Sequence, residues 1–140
     1  MRILVADQGG ALAPSCLVFL SYWGHEVEVV TDGLAALRKA RSWHPDLVVA
    51  PVDLERMDGL TLAAALRVAA RTAPVEIALA GPASAEGRER ALDAGAVAYL
   101  ETPLAVVALA LTVERVAETR RLREAAGSAR AATTRRRGVA

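Results

Sequence analysis

Residues 45–60 read PDLVVAPVDLERMDGL, and the organisation of the whole chain follows from how they divide. Residues 47–50 (Leu-Val-Val-Ala) are apolar without a break, the pattern of a strand buried on both faces of a parallel sheet rather than one with a wet side. Pro51 closes the run; at the last residue of a strand it costs no central ladder bond. Met57-Asp58-Gly59 has turn chemistry and predicts the start of a helix with apolar positions at Leu60, Ala64, Leu66 and Val68. One strand followed by one helix is thus the unit.

Working outward, the unit repeats. Short apolar or β-branched runs at residues 3–6, 27–30, 75–80 and 97–100 predict four more strands. Between and after them lie stretches with helical spacing: Leu12, Cys16, Phe19 and Leu20; Leu34, Leu37 and Arg41; residues 84–94, opened by Ser84-Ala85-Glu86-Gly87; and a last helix from about Pro103 with Leu104, Val107, Leu111 and Val116. A proline is tolerated in a first helical turn because its missing N–H has no partner there anyway. Five alternations call for an α/β fold, an open, doubly wound parallel sheet with helices on both faces. Reactive and binding groups in such sheets gather beyond the carboxyl ends of the strands. That singles out Asp7-Gln8, Pro51-Val52-Asp53, Ala80-Gly81 and Glu101-Thr102-Pro103.

A length of 140 residues accommodates one domain. With 54% hydrophobic but only 4% aromatic residues, the core must be built from Ala, Val and Leu. The single cysteine, Cys16, excludes a disulfide framework and a multi-cysteine metal site, and its place on an apolar stripe reads as a small buried hydrophobe. His25 and His44 each border a strand start without metal-ligand spacing. Residues 8–25 carry no Asp, Glu, Lys or Arg but are interrupted by Gly, Pro and Ser, which makes a poor membrane span. A cytoplasmic location is expected. Charge is unevenly placed: residues 1–112 sum to −4, residues 113–140 to +5. The expected division is a domain over residues 1–126 with an extended last helix, then an Arg-rich, disordered tail over residues 127–140.

Six strings, in order and in register over about residues 1–120, resemble the receiver domain of bacterial two-component response regulators, the CheY-like family. They are Ile3-Leu4-Val5-Ala6-Asp7, Gly24-His25-Glu26-Val27, Asp32-Gly33-Leu34-Ala35-Ala36-Leu37, Pro45-Asp46-Leu47-Val48-Val49, Met57-Asp58-Gly59-Leu60, and Gly95-Ala96 with Tyr99-Leu100 before Pro103. The resemblance implies a (βα)5 sheet of strand order 2-1-3-4-5. It also implies transfer of a phosphoryl group to an aspartate at the end of the third strand, with Mg²⁺ held by carboxylates and a Lys and a Thr or Ser holding the phosphoryl oxygens.

The residues depart from that pattern at nearly every functional position. The acidic pair is reduced to Asp7-Gln8, the acceptor position is Pro51, the hydroxyl position is Ala80 and the lysine position is Thr102. A proline offers neither a nucleophile nor a metal ligand. The resemblance therefore implies a degenerate receiver, a pseudo-receiver, not an enzyme, without cofactor, acting in signalling through protein–protein contact or self-association. Asp7 is expected to cap the following loop or helix. Asp7 and Asp53 are the candidate cation ligands, a thin set, and Asp53, two residues past Pro51, is the alternative acceptor. Tyr99, where the family often carries a switching aromatic, is expected to be locked in one rotamer. Expected partners are a signalling protein or a second copy, met through the last helices or the face made by the fourth helix, fifth strand and fifth helix. The uncharged first helix with Trp23 is a further candidate surface. Neither membrane nor nucleic acid is an expected partner; a nucleic-acid module using Arg135-Arg136-Arg137 is the other alternative.

Overall fold

Alternate residues of each central strand are apolar in both directions, so each strand needs cover on two sides. A computed structural model describing residues 1–69 and 74–138 shows how this is met. The elements run β1 (Arg2–Ala6), α1 (Leu12–Tyr22), β2 (Glu26–Val30), α2 (Gly33–Trp43), β3 (Leu47–Pro51), α3 (Gly59–Ala69), β4 (Glu76–Pro82), α4 (Ala85–Asp93), β5 (Ala98–Thr102) and α5 (Val106–Gly138). The sheet is parallel with order β2-β1-β3-β4-β5. Ile3, Val5, Leu47, Val49, Ala78 and Ala80 face α1 and α5, where they meet Cys16, Leu20, Leu109 and Val113. Leu4, Ala6, Val48, Ala50, Ile77 and Leu79 face α2, α3 and α4, against Ala36, Leu37, Leu62, Leu66 and Ala91. The period-2 alternation of strands thus sorts one apolar run into two cores.

Several boundaries differ from the sequence reading, each for a local reason. β4 continues two residues beyond Ala80, because Gly81 and Pro82 pair with Glu101 and Thr102 of β5. In α3 the buried positions are Leu62, Ala63 and Leu66, whereas Val68 is 82% exposed. The expected stripe was turned about the helix axis. α5 begins at Val106, so Pro103 lies ahead of its first turn, and its inward side is Leu109, Thr112, Val113 and Val116. Val107 and Leu111, read as core, are 70% and 66% exposed. α5 does not stop near Ala126. It runs to Gly138, so residues 127–138 are helical where a disordered tail was expected, and residues 139 and 140 of that tail lie outside the described residues. Ala and Arg are strong helix formers, and an already nucleated helix extends through them past the single Gly127.

Candidate functional site

The registers bring the carboxyl ends of β3, β4 and β5 together. Pro51 pairs with Ala80, Ala80 with Leu100 and Pro82 with Thr102. The β1–β3 ladder ends at Val5↔Val49, before the proline, and the next N–H on β3, that of Val52, donates to the Ala80 carbonyl at 2.8 Å. Pro51 therefore sits where its missing donor leaves the ladder intact.

Asp7 is 7% exposed, and both carboxylate oxygens are engaged by backbone: Oδ1 accepts from the Gly10 N–H at 3.2 Å, Oδ2 from the Ala13 N–H at 2.8 Å. The N-cap of α1 is Ala11, which has no side-chain acceptor, so Asp7 supplies the cap from a distance. A negative carboxylate at a helix N-terminus is also favoured by the helix dipole. Gln8 points its Oε1 at the β3–α3 loop, accepting the Glu55 N–H at 2.9 Å, while the Glu55 carbonyl accepts the Gly33 N–H at 3.2 Å. The amide thus ties three loops together. Asp53 and Thr102 are exposed. Among the described residues no group of three or more His, Cys, Asp or Glu side chains is placed to hold a metal ion.

The short motifs of the sequence now have packing reasons. A Cβ on Gly59 would lie 2.5 Å from the Pro51 carbonyl oxygen, and one on Gly33 would lie 1.8 Å from the Met57 carbonyl oxygen. Asp58 caps α3 by accepting the Thr61 N–H at 2.8 Å, as Asp32 caps α2 through Ala35 at 2.8 Å. The Cys16 thiol is pushed up to about 12, chiefly by burial and secondarily by the Asp7 charge, so it stays protonated and unreactive at neutral pH.

Tyr99 is 5% exposed, and its hydroxyl donates to the Pro82 carbonyl at 2.5 Å. A Cβ on Gly81 would stand 2.5 Å from that hydroxyl, and one on Gly87 3.0 Å. The Arg88 guanidinium lies 5.6 Å from the Tyr99 ring centre and pairs with Glu101 at 3.0 Å. The sequence reading singled out Tyr99 but gave Gly81, Gly87 and Arg88 no role around it, since they lie 11 to 18 residues before it in the chain. Beside Tyr99 a groove of about 310 Å³ opens between α4 and α5, bordered by Leu92, Leu111 and Arg115.

A doubly wound sheet of order 2-1-3-4-5 with its loops gathered at this end defines the flavodoxin-like α/β class of domains. Within that class the chain belongs to the response regulator receiver domain family, whose profile matches residues 3–114. It is 39% identical over 106 residues to the response regulator MprA of Mycobacterium avium (strain 104) and 37% identical over 106 residues to MprA of Mycobacterium leprae (strain TN). Each alignment covers 76% of this chain and 46% of the relative, so the chain spans about half the length of the curated relatives it matches. Among solved structures it is similar to a putative response regulator from Chloroflexus aurantiacus J-10-fl, with 25% identity, a TM-score of 0.77, and coverage of 82% of this chain and 95% of that one. It is similar also to NtrX from Brucella abortus, with 26% identity, a TM-score of 0.80, and coverage of 91% of this chain and 29% of that one.

Proposed function

We propose that this receiver domain works in two-component signalling without accepting a phosphoryl group, as a pseudo-receiver that acts by protein contact. The observation that carries the reading is Pro51 at the carboxyl end of β3, paired with Ala80. Neither side chain offers an oxygen. The surrounding donor set suits a divalent cation no better: both oxygens of Asp7 accept backbone N–H groups, the Gln8 amide oxygen accepts another, and Thr102 carries no ammonium to balance phosphoryl charge. Asp53 is exposed and stands as the alternative acceptor. The domain is then a scaffold for partners rather than an enzyme. No helix of the described residues is long and apolar enough to cross a membrane, and we place its action in the cytoplasm on the strength of the family.

The surface that supports a protein partner is the α4–β5–α5 face, where Leu92 and Leu111 are exposed at the groove beside Tyr99 and Val107 is exposed one turn before Leu111. Either a signalling partner or a second copy of the chain would cover this apolar area. Incubation with acetyl phosphate and Mg²⁺, read by intact mass, is expected to give no phosphoryl adduct. An adduct that Asp53→Asn abolishes would replace this reading with phosphorylation at Asp53.

A further inference from the structure

Two halves of α5 carry their arginines differently. In the first half each guanidinium has a partner: Arg115 donates to the Val97 carbonyl at 3.0 Å, Arg120 pairs with Asp46 and Glu124 at 3.1 Å each, Arg121 pairs with Glu118, and Arg123 pairs with Glu76 at 3.2 Å. Asp46 also accepts the Arg2 N–H at 2.9 Å, which anchors this clasp to the amino-terminal end of the sheet. From Arg120 to Arg137 every residue is exposed, and residues 125–138 contain four Arg and no acidic side chain. Among the described residues, none of Arg130, Arg135, Arg136 and Arg137 enters an ion pair, and residues 125–138 supply no acidic side chain to compensate them.

We propose that residues 125–138 of α5 form a binding element for duplex DNA. Three properties favour that ligand over other polyanions. First, at about 1.5 Å per residue these residues make a rod of about 21 Å, roughly two-thirds of a turn of B-DNA. Second, apart from the arginines the rod carries only Ala, Gly, Ser and Thr, so it is thin enough for a groove about 12 Å wide. Third, at 100° per residue Arg135, Arg136 and Arg137 point to three sides, with Arg130 near the direction of Arg137. A flat acidic surface would engage one side only, whereas a groove has phosphates along both walls. This segment has no large apolar residue to insert into a bilayer, so an anionic membrane would be held by surface charge alone. The deep, narrow major groove of duplex RNA does not admit such a rod. The clasp through Arg120 and Arg123 fixes the direction in which the element leaves the domain. The binding proposed is to groove shape and phosphate, not to base edges.

The test is fluorescence anisotropy of a labelled DNA duplex titrated with the full chain. Binding is expected at low salt with a dissociation constant on the order of 10⁻⁵ M, weakening by about 100-fold between 50 and 200 mM salt if all four arginines meet phosphates. The quadruple substitution Arg130→Ala, Arg135→Ala, Arg136→Ala and Arg137→Ala should lose at least tenfold in affinity with an unchanged far-UV spectrum, while the four Arg→Lys changes should retain it. Absence of binding at 50 mM salt, or unchanged affinity in the quadruple alanine variant, overturns the proposal. So does equal or tighter binding to polyglutamate, to duplex RNA of the same sequence, or to vesicles of phosphatidylserine and phosphatidylcholine in equal parts.

Discussion

At the scale of single residues, the site is held by side chains that hydrogen-bond to the backbone. Asp7 and Gln8 spend their oxygens on the N–H groups of Gly10, Ala13 and Glu55, and Tyr99 directs its hydroxyl at the Pro82 carbonyl. The space that admits Tyr99 exists because position 81 has no side chain. Gly81→Ala would bring a Cβ to 2.5 Å from the hydroxyl and 3.3 Å from Cζ, so the ring must move and the hydrogen bond is lost. A destabilisation of about 1–3 kcal/mol is expected from overpacking together with an unsatisfied buried group. Tyr99→Phe removes the atom in closest conflict and should by itself cost about 1 kcal/mol. Urea denaturation of the wild type, both single variants and the double variant makes this a double-mutant cycle. The double variant should lose less than the sum of the singles, because the two changes act on one contact; strict additivity would show that Gly81 and Tyr99 are not coupled.

At the scale of elements, the last helix is the one whose length the sequence reading underestimated. Low apolar content and repeated Arg residues suggested a loose tail, yet the same residues have high helix propensity, and the docked portion through Val116 supplies the costly nucleus. Gly127 is the weakest point. A Cβ there would meet nothing within 4 Å, so Gly127→Ala alters propensity alone. The substitution should favour the helix by about 1 kcal/mol. Amide exchange across residues 124–138 is expected to slow by roughly fivefold, since 1.4 kcal/mol corresponds to a factor of ten. Unchanged exchange across the segment would contradict the helical extension. α3 and α5 teach the same lesson about faces. Their apolar residues exceed one stripe, and packing against the sheet chose Leu62, Ala63 and Leu66 on the first helix and Leu109, Val113 and Val116 on the second. What was left over, Val107 and Leu111, became surface.

At the scale of the molecule, the residues on which the pseudo-receiver proposal rests, Gln8, Pro51, Ala80 and Thr102, are distributed over the ends of four strands, so no single reversion should undo them. Pro51→Asp places one carboxylate at the end of β3. The neighbouring Ala80 still has no hydroxyl, Thr102 no ammonium, and Asp7 remains committed to α1. The variant, treated with acetyl phosphate and Mg²⁺, is expected to show no change in the fluorescence of Trp23 and Trp43. A Mg²⁺-dependent and phosphate-dependent change would mean that the remaining pocket is still competent.

The fold was legible in the sequence because parallel strands buried on both faces leave continuous apolar runs, and because the turn residues Asp32-Gly33 and Met57-Asp58-Gly59 mark helix starts whose caps are local. The proposed loss of phosphoryl chemistry is likewise read from the sequence, since it rests on the identity of one residue, Pro51. Contacts between distant residues were not legible. Which face of α3 and α5 turns inward, the pocket of Gly81, Gly87 and Arg88 around Tyr99, and the clasp from Arg120 to Asp46 and Arg123 to Glu76 depend on which elements the sheet sets side by side. Local periodicity fixes what each segment can bury, but only the competition among helices for the two faces of one sheet decides what each does bury.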